Sequence, residues 1–285
     1  MPAHPAGRPC DVALSQGHGY VCFSGDYDNE SDRDAVTQRV GLSLSQEYET
    51  VFERALEEVA TAATELDVPL APFWPIRGAA YDGGLLVIGR SVNGWIESWT
   101  ARELRQPDIR RSAVERMRSD AEPPDRCRMQ WVTDLAGPNA VYNTNLSAFW
   151  RVLRRIVLSE SRPELDDARW SSRLAWTNLY KVSPAAGWNP GADLQRAQRR
   201  SAIELLNLEV ERLAPRRVLA LTGGWIGPFS DGLGLNLTAR PGLVEAVGHR
   251  GDCPWVVAKH PMRKPEDRFV AEVLAAFRDL GAPFG

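Results

Sequence analysis

The chain has 285 residues, of which 44% are hydrophobic and 25% charged, and this composition excludes a disordered tail protein, a coiled coil and a collagen-like chain. It contains no run of about eighteen apolar residues and no basic and apolar leader at its N-terminus, so we expect a cytoplasmic protein that does not span a membrane. The net charge of −3 is uneven, because residues 1–70 hold 13 acids and 4 arginines, a charge of −9, which leaves +6 on the rest; this permits a nucleic-acid-binding face without requiring one.

The first part of the chain differs in composition from the remainder. Residues 1–42 are rich in Gly, Ser, Asp and Pro and show no sustained hydrophobic period, so we interpret them as a tail or surface wrap. A helix is predicted over residues 43–66, where apolar side chains recur at three- and four-residue spacing. We therefore predict one domain, which spans residues 43–285.

Beyond this helix, apolar runs of strand length alternate with helical patterns. Strands are predicted at residues 85–88, 174–179, 218–221 and 255–258, and helices at residues 149–157, at residues 203–213 and from Pro265 onward; the stretch from about 95 to 140 is only weakly helical. The strands are too uniformly apolar to have one face in water. This pattern predicts an α/β fold whose parallel sheet is covered by helices on both faces.

Polar, Gly-rich segments follow the predicted strands. They are G-R-S-V-N-G at 89–94, T-N-L-Y-K at 177–181, T-G-G at 222–224 and K-H-P at 259–261. In such sheets ligands bind beyond the carboxyl ends of the strands, so these segments could converge on one crevice. Taken singly, the first is also an ordinary tight turn and His260 an ordinary strand cap, whereas the amide of Asn178 in a buried strand favours ligand recognition.

The order of these segments resembles the uracil-DNA glycosylase superfamily, and most of all its mismatch-specific uracil/thymine members. The matching text is VIGRSVNG, AFWRVLRRI, WTNLYK and VVAKHP, within a region of about residues 84 to 280. The resemblance implies a three-layer α/β/α sandwich with a short, mainly parallel central sheet. It also implies a DNA glycosylase that flips a base out of the duplex, binds DNA as its partner and uses no cofactor. We expect a monomer.

The resemblance assigns roles to residues of the base pocket. Asn178 would read the base edge, Phe149 would stack on the base, and His260 would donate to the leaving base or lie against phosphate. Gly89 and Lys181 belong to the same substrate-binding set. For contacts to DNA, the resemblance and the positive charge point to Arg263, Lys264, Arg151 and Arg154.

The first motif departs from the family pattern. Ser91 stands where the family has Asp or Asn to activate or hold water, and a serine hydroxyl is a poor base at neutral pH. Either Asn93 positions the water through a shifted turn, or Asp82 or Glu97 does so, or the protein does not hydrolyse. We therefore predict a catalytic set of Asn93, Ser91 and His260, and no metal, since the four cysteines form no C-x-x-C pair.

A long segment between Gly94 and Phe149 points to an unusual substrate. It carries Trp95, Trp99, Trp131 and Tyr142, which could line an enlarged pocket for a bulky, phage-type modified pyrimidine, with a role in anti-phage defence or DNA repair; an ordinary covering layer is the alternative. Two other functions remain open. One is a catalytically silent member that binds DNA or a nucleobase, and the other is an unrelated α/β enzyme that acts on a nucleotide or sugar phosphate.

Overall fold

The computed structural model describes residues 46–65, 67–92, 97–121, 127–135, 142–159 and 169–284. The predicted tail, residues 1–42, lies outside the described residues, and so does Asn93. None of the described helices is both long enough and apolar enough to cross a lipid bilayer.

Strands of the described chain form two sheets. Their bounds are β1 Pro69–Pro72, β2 Ile76–Arg77, β3 Leu85–Ser91, β4 Trp99–Thr100, β5 Leu174–Tyr180, β6 Val182–Pro184, β7 Arg217–Ala220, β8 Asn236–Ala239, β9 Val244–Arg250 and β10 Cys253–Ala258. The larger sheet has the order β2-β5-β3-β7-β10-β9-β8, and the smaller one the order β4-β1-β6. The smaller sheet is antiparallel throughout.

The four strands predicted from the sequence form the centre of the larger sheet. They are β3, β5, β7 and β10; they lie side by side and run parallel, with Ile88 of β3 opposite both Thr177 of β5 and Ala220 of β7. Their side chains are buried on both faces. The predicted fold class is thereby confirmed, and the carboxyl ends of four strands lie along one edge.

The edges of the larger sheet were not predicted. β2, β9 and β8 pair antiparallel to their neighbours. Most side chains of β8 and β9 are half-exposed or exposed, so these strands carry no continuous apolar run. Pairing there relies on Gly248, where an added Cβ would overlap the carbonyl oxygen of Asn236.

Helices cover the larger sheet on both faces. Their bounds are α1 Gln46–Ala62, α2 Ala101–Leu104, α3 Pro107–Ala121, α4 Trp131–Asp134, α5 Ala148–Leu158, α6 Ala192–Leu213, α7 Gly227–Ser230 and α8 Glu266–Asp279. Leu153 of α5 and Phe269 of α8 belong to the core of one face, and Leu206 of α6 and Phe229 of α7 to that of the other. α1 packs on α6, with Phe52 in a further cluster. The sheet is thus shielded from water except along its edges.

Candidate functional site at the carboxyl edge of the sheet

The strand order places a reversal of winding at the carboxyl edge of the larger sheet. Of the four parallel strands, β3 comes first along the chain. The next one, β5, lies on one side of β3, and the later strands β7 and β10 lie on the other side, so the direction of winding reverses at β3. Ligands of open α/β sheets bind at such a reversal. The segments that begin at Gly89, Thr177, Thr222 and Lys259 all end or follow parallel strands at this edge.

Gly89 and Asn178 are direct neighbours across β3 and β5. A Cβ at Gly89 would overlap Oδ1 of Asn178 and lie 3.5 Å from Nε1 of Trp176. Because the φ angle of Gly89 is not positive, glycine is required here for close approach and not for a turn. The missing side chain makes room for the amide of Asn178.

The amide of Asn178 is buried, with 1% of its surface exposed. Its Nδ2 has no hydrogen-bond partner within the described residues. A buried donor without a partner costs about 1–3 kcal/mol, and native proteins keep few of them. Asn178 therefore presents a donor that a bound ligand can satisfy.

Aromatic rings connect β5 to the segment after β10. The ring of Phe149, at the start of α5, lies 6.3 Å from that of Trp176 on β5. It also lies 6.2 Å from the imidazole of His260, and the two planes are inclined by 27°. The structure thus brings together Gly89, Asn178, Phe149 and His260, with Trp176 between them, although they span about 170 positions of the chain.

The imidazole of His260 is held in its neutral form. Its Nδ1 accepts a hydrogen bond of 3.3 Å from the backbone N–H of Met262. Burial, and then the positive charge of Arg90, lower the pKa of His260 from 6.5 to about 4. With Nδ1 an acceptor, the proton of the neutral ring is on Nε2, which makes Nε2 a donor at neutral pH.

Arg90 is the most prominent residue that the sequence analysis missed. Its Nε donates to the carbonyl oxygen of Thr222 at 3.0 Å, and its guanidinium lies 5.3 Å from the ring centre of Trp225. Burial lowers the pKa of Arg90, and the carboxylate of Glu245 opposes that effect. An arginine between Gly89 and Ser91, at the tip of a buried strand, was the available signal, because a charge there requires partners.

The structure places the candidate water-positioning residues apart from one another. Ser91 donates from Oγ to Oδ1 of Asn189 at 2.9 Å, and Asn93 lies outside the described residues. Asp82 precedes β3 and pairs at 3.0 Å with Arg216, which precedes β7. It therefore lies at the amino edge of the sheet, opposite the carboxyl edge, and cannot position water there.

The other carboxylate considered for this role is engaged elsewhere. Glu97 pairs at 3.0 Å with Arg116 of α3.

The amino edge next to Asp82 also holds a cavity of about 100 Å³, lined by Arg173, Arg216 and Phe284 among others. This cavity is separate from the carboxyl edge.

Lys181 requires a correction. It was predicted to bind substrate, but it is completely buried and its ammonium group is fully used inside the protein. Nζ donates to Oγ1 of Thr177 at 2.7 Å, to the carbonyl oxygen of Asn178 at 2.8 Å and to the carboxylate of Glu209, with a shortest distance of 2.7 Å. An ammonium has three N–H donors, so none remains for a ligand.

The predicted DNA contacts fall into two groups. Arg151 of α5 binds the carboxylate of Glu266 in the first turn of α8 through its guanidinium and thus links two helices, and its contact with DNA stays a prediction. Arg154, also on α5, is half-buried. Arg263 and Lys264 are exposed, in the loop between β10 and α8, and Arg263 has a φ of 60°.

The aromatic residues of the long segment also separate. Trp131 lies 6.1 Å from Trp176, and Tyr142, which is 48% exposed, lies 6.4 Å from Trp131, so these two extend the aromatic rings outward. Trp99 requires a correction, because it packs in the cluster beneath α1 and not with these rings. Trp95 lies outside the described residues.

Groups of His, Cys, Asp and Glu placed to hold a metal ion do not occur in the described part of the chain. Comparison of the chain with protein-family models gave no match, and no curated protein matched it either. Function is therefore inferred from the site itself.

Proposed function

We propose that the protein is a DNA glycosylase that flips out and excises a non-standard pyrimidine base, with the bulky modified pyrimidines of phage DNA as the leading substrate class. A role in anti-phage defence or DNA repair would follow from such a substrate. The observation that carries the proposal is the buried amide of Asn178, which has an unpartnered Nδ2 within the described residues. It lies near the rings of Trp176 and Phe149, and Phe149 in turn contacts the neutral imidazole of His260.

Recognition would use the amide and the rings together. A flipped base is read through hydrogen bonds to its edge and through stacking. Nδ2 of Asn178 would donate to an acceptor on the edge of the pyrimidine, and Phe149 would cover one face of its ring. Trp131 and Tyr142, further out along the same rings, would contact a bulky substituent on the base.

Bond cleavage would require the departing base to be stabilised. When the bond between C1′ and N1 breaks, both electrons leave with the base, and a cationic sugar remains. Nε2 of His260 would donate a hydrogen bond to the base oxygen on which negative charge develops. A water molecule would then add to C1′ and lose one proton to solvent, and the departed base anion would take up one proton from solvent, which completes the hydrolysis.

Asn93, the only amide of the G-R-S-V-N-G segment, would position the attacking water. Ser91 already donates to Asn189 and is a poor base. A neutral group suffices if departure of the base precedes attack by water. DNA would be held in part by the exposed Arg263 and Lys264, and its affinity would then fall steeply as salt is raised.

A second candidate is a catalytically silent protein that binds DNA or a nucleobase at the same site. One observation favours it. Within the described residues, no hydrogen bond or ring contact of Gly89, Asn178, Phe149 or His260 involves a carboxylate.

The decisive experiment is incubation with duplexes that carry a panel of natural and phage-type pyrimidines, followed by alkali and by mass spectrometry of the released base. We expect alkali-sensitive sites with at least one modified base, and their loss in His260→Gln. Binding without any released base would instead establish the silent alternative. Neither binding nor release with any duplex would overturn both.

A further inference from the structure

A tryptophan is exposed on the turn that joins β6 to α6, residues 185–191. Trp188 has 74% of its surface exposed, although it is a large apolar side chain. Gly187 before it has a φ of 93°, which few residues with a side chain adopt, and Asn189 after it is polar and exposed. The turn therefore presents one aromatic ring among small and polar neighbours.

Both ends of this turn are held by the folded domain. The N–H of Ala185 donates to the carbonyl oxygen of Pro69 on β1 at 2.9 Å. The carbonyl oxygen of Pro190, a buried residue, accepts from Nε2 of Gln195 on α6 at 2.7 Å. A ligand that binds the ring thus meets a backbone that is already ordered, so little conformational entropy is lost on binding.

The turn is also fixed to the carboxyl end of β3. Oγ of Ser91 donates to Oδ1 of Asn189 at 2.9 Å. One residue further along the chain, the carbonyl oxygen of Val92 accepts from Oγ of Ser183 on β6 at 2.8 Å. These two contacts place the turn at the edge of the sheet where the candidate site lies.

The hydrogen bond of Ser91 also shows on which face of the sheet the contact lies. Side chains alternate along an extended strand, so Ser91 is on the same face as Gly89, about 7 Å further along β3. The amide of Asn178 is on that face too, because its Oδ1 would overlap a Cβ at Gly89. Trp188 is therefore one residue from a contact, made by Asn189, on the face that carries the Asn178 amide.

We propose that Trp188 is a stacking platform for an unpaired base of the bound DNA, next along the strand to the base held at Asn178. This inference rests on the proposed function, because it takes the ligand of the Asn178 site to be a base of DNA. An aromatic ring stacks on any base, since every base has a π-face, so the contact requires an unpaired base but no particular sequence. The protein would accordingly use Trp188 on single-stranded or locally opened DNA and not on closed duplex.

The surroundings of Trp188 suit a nucleobase better than a protein partner. The centre of a protein interface is a continuous apolar area, whereas this turn offers one ring beside Gly187 and Asn189. Because Oδ1 of Asn189 accepts from Ser91, the Nδ2 of this exposed amide supplies donors next to the ring. A flat ring with a neighbouring donor matches a flat base with polar edges.

The test compares variants of the full-length protein that separate the aromatic face of Trp188 from its apolar bulk. The probe is a fluorescently labelled single-stranded oligodeoxythymidine, with a closed duplex of the same length as its counterpart, and binding is measured by anisotropy. Trp188→Ala and Trp188→Leu should weaken single-strand binding about tenfold, whereas Trp188→Tyr should retain most of it. Duplex binding should change less than about twofold in all three, because it relies on phosphate contacts.

Salt dependence provides a second readout. Stacking neutralises no phosphate, so Trp188→Ala should lower single-strand affinity without changing the slope of log affinity against log salt. Lys264→Ala is the contrasting variant, because loss of one phosphate contact should reduce that slope by about 0.7.

Single-strand affinity in Trp188→Ala within about twofold of the wild type would overturn the inference and would leave a protein partner as the occupant of the ring. Equal losses in Trp188→Tyr and Trp188→Leu would also overturn it, because the aromatic face would then be irrelevant. The expected binding pattern without release of any base would contradict the proposed glycosylase alone. Release of a base together with unchanged binding by Trp188→Ala would contradict this inference alone.

Discussion

Two polar side chains of the T-N-L-Y-K segment, three positions apart and equally buried, differ in their partners. Lys181 donates all three N–H groups to acceptors inside the protein, and its counter-ion Glu209 also accepts from the hydroxyl of Tyr48 at 2.6 Å. Asn178 has an Nδ2 without a partner in the described chain. Lys181 belongs to a closed network between α1, β5 and α6, whereas the amide of Asn178 lies beside Gly89 near the carboxyl edge of the sheet.

The comparison shows that burial alone does not identify a functional residue. Burial lowers the pKa of Lys181, while Glu209 opposes that shift, as expected for an ion pair that supports the fold. A satisfied network stabilises one arrangement of the chain, whereas an unsatisfied donor is retained at a cost in stability. Mutations in the two regions should therefore separate stability from activity.

The largest loss of stability is expected from Glu209→Leu. It leaves the ammonium of Lys181 buried without a counter-ion, and breaking such a pair costs about 3–5 kcal/mol. The measurement is the free energy of unfolding in urea. Glu211→Leu is the matched control on the same helix, because Glu211 is largely exposed and should cost less than about 1 kcal/mol. Equal losses in the two variants would contradict a closed network.

An intermediate loss is expected from Gly89→Ala. The added methyl group would displace the amide of Asn178, so stability should fall by about 1–3 kcal/mol and the site should be disrupted as well. Gly227→Ala is the control, because no atom lies within 4 Å of its added Cβ. Cleavage that persists in Gly89→Ala at the level of Gly227→Ala would show that the amide position does not matter.

The free energy of unfolding should also depend on pH. The pKa of His260 is about 4 in the folded protein and 6.5 as the ordinary value, so between these values the unfolded chain binds more protons. The free energy of unfolding should therefore decrease as the pH falls from about 6.5 to about 4, and this part of the decrease should be missing in His260→Gln. Parallel pH profiles for the two proteins would argue against a buried neutral imidazole.

The smallest change in stability is expected from Asn178→Ala, within about 1 kcal/mol, because the variant also removes an unsatisfied donor. The effect on activity should be large in contrast, because the ratio of cleavage rates between the preferred base and other bases should fall about a hundredfold or more. Asn207→Ala provides an amide control, since Asn207 is bonded to the carbonyl oxygen of Gly232 on a different surface. A stability loss as large as that of Glu209→Leu would place Asn178 in the structural network instead.

Local sequence patterns predict the central architecture of the sheet. The apolar runs of β3, β5, β7 and β10 and the 3.6-residue period of α5 and α6 are local patterns. The four strands and α5 occur where these patterns predict them, and α6 ends at Leu213 as predicted but begins earlier than predicted, at Ala192. The polar segments after the strands also indicated Gly89, Asn178 and His260, because chain direction in a parallel sheet fixes which ends share an edge.

The partners of the polar residues, in contrast, could not be predicted from the sequence. Glu209 lies 28 positions from Lys181, and Glu266 lies 115 positions from Arg151, so no local spacing could show that these cations are already paired. Likewise, nothing in the G-R-S segment shows that Arg90 reaches Thr222 across 132 positions. Hydrophobic periodicity is a local property of the sequence and can be read from neighbouring residues. Whether a hydrogen-bonding group has a partner depends on the distance between remote segments, which is set only when the chain folds.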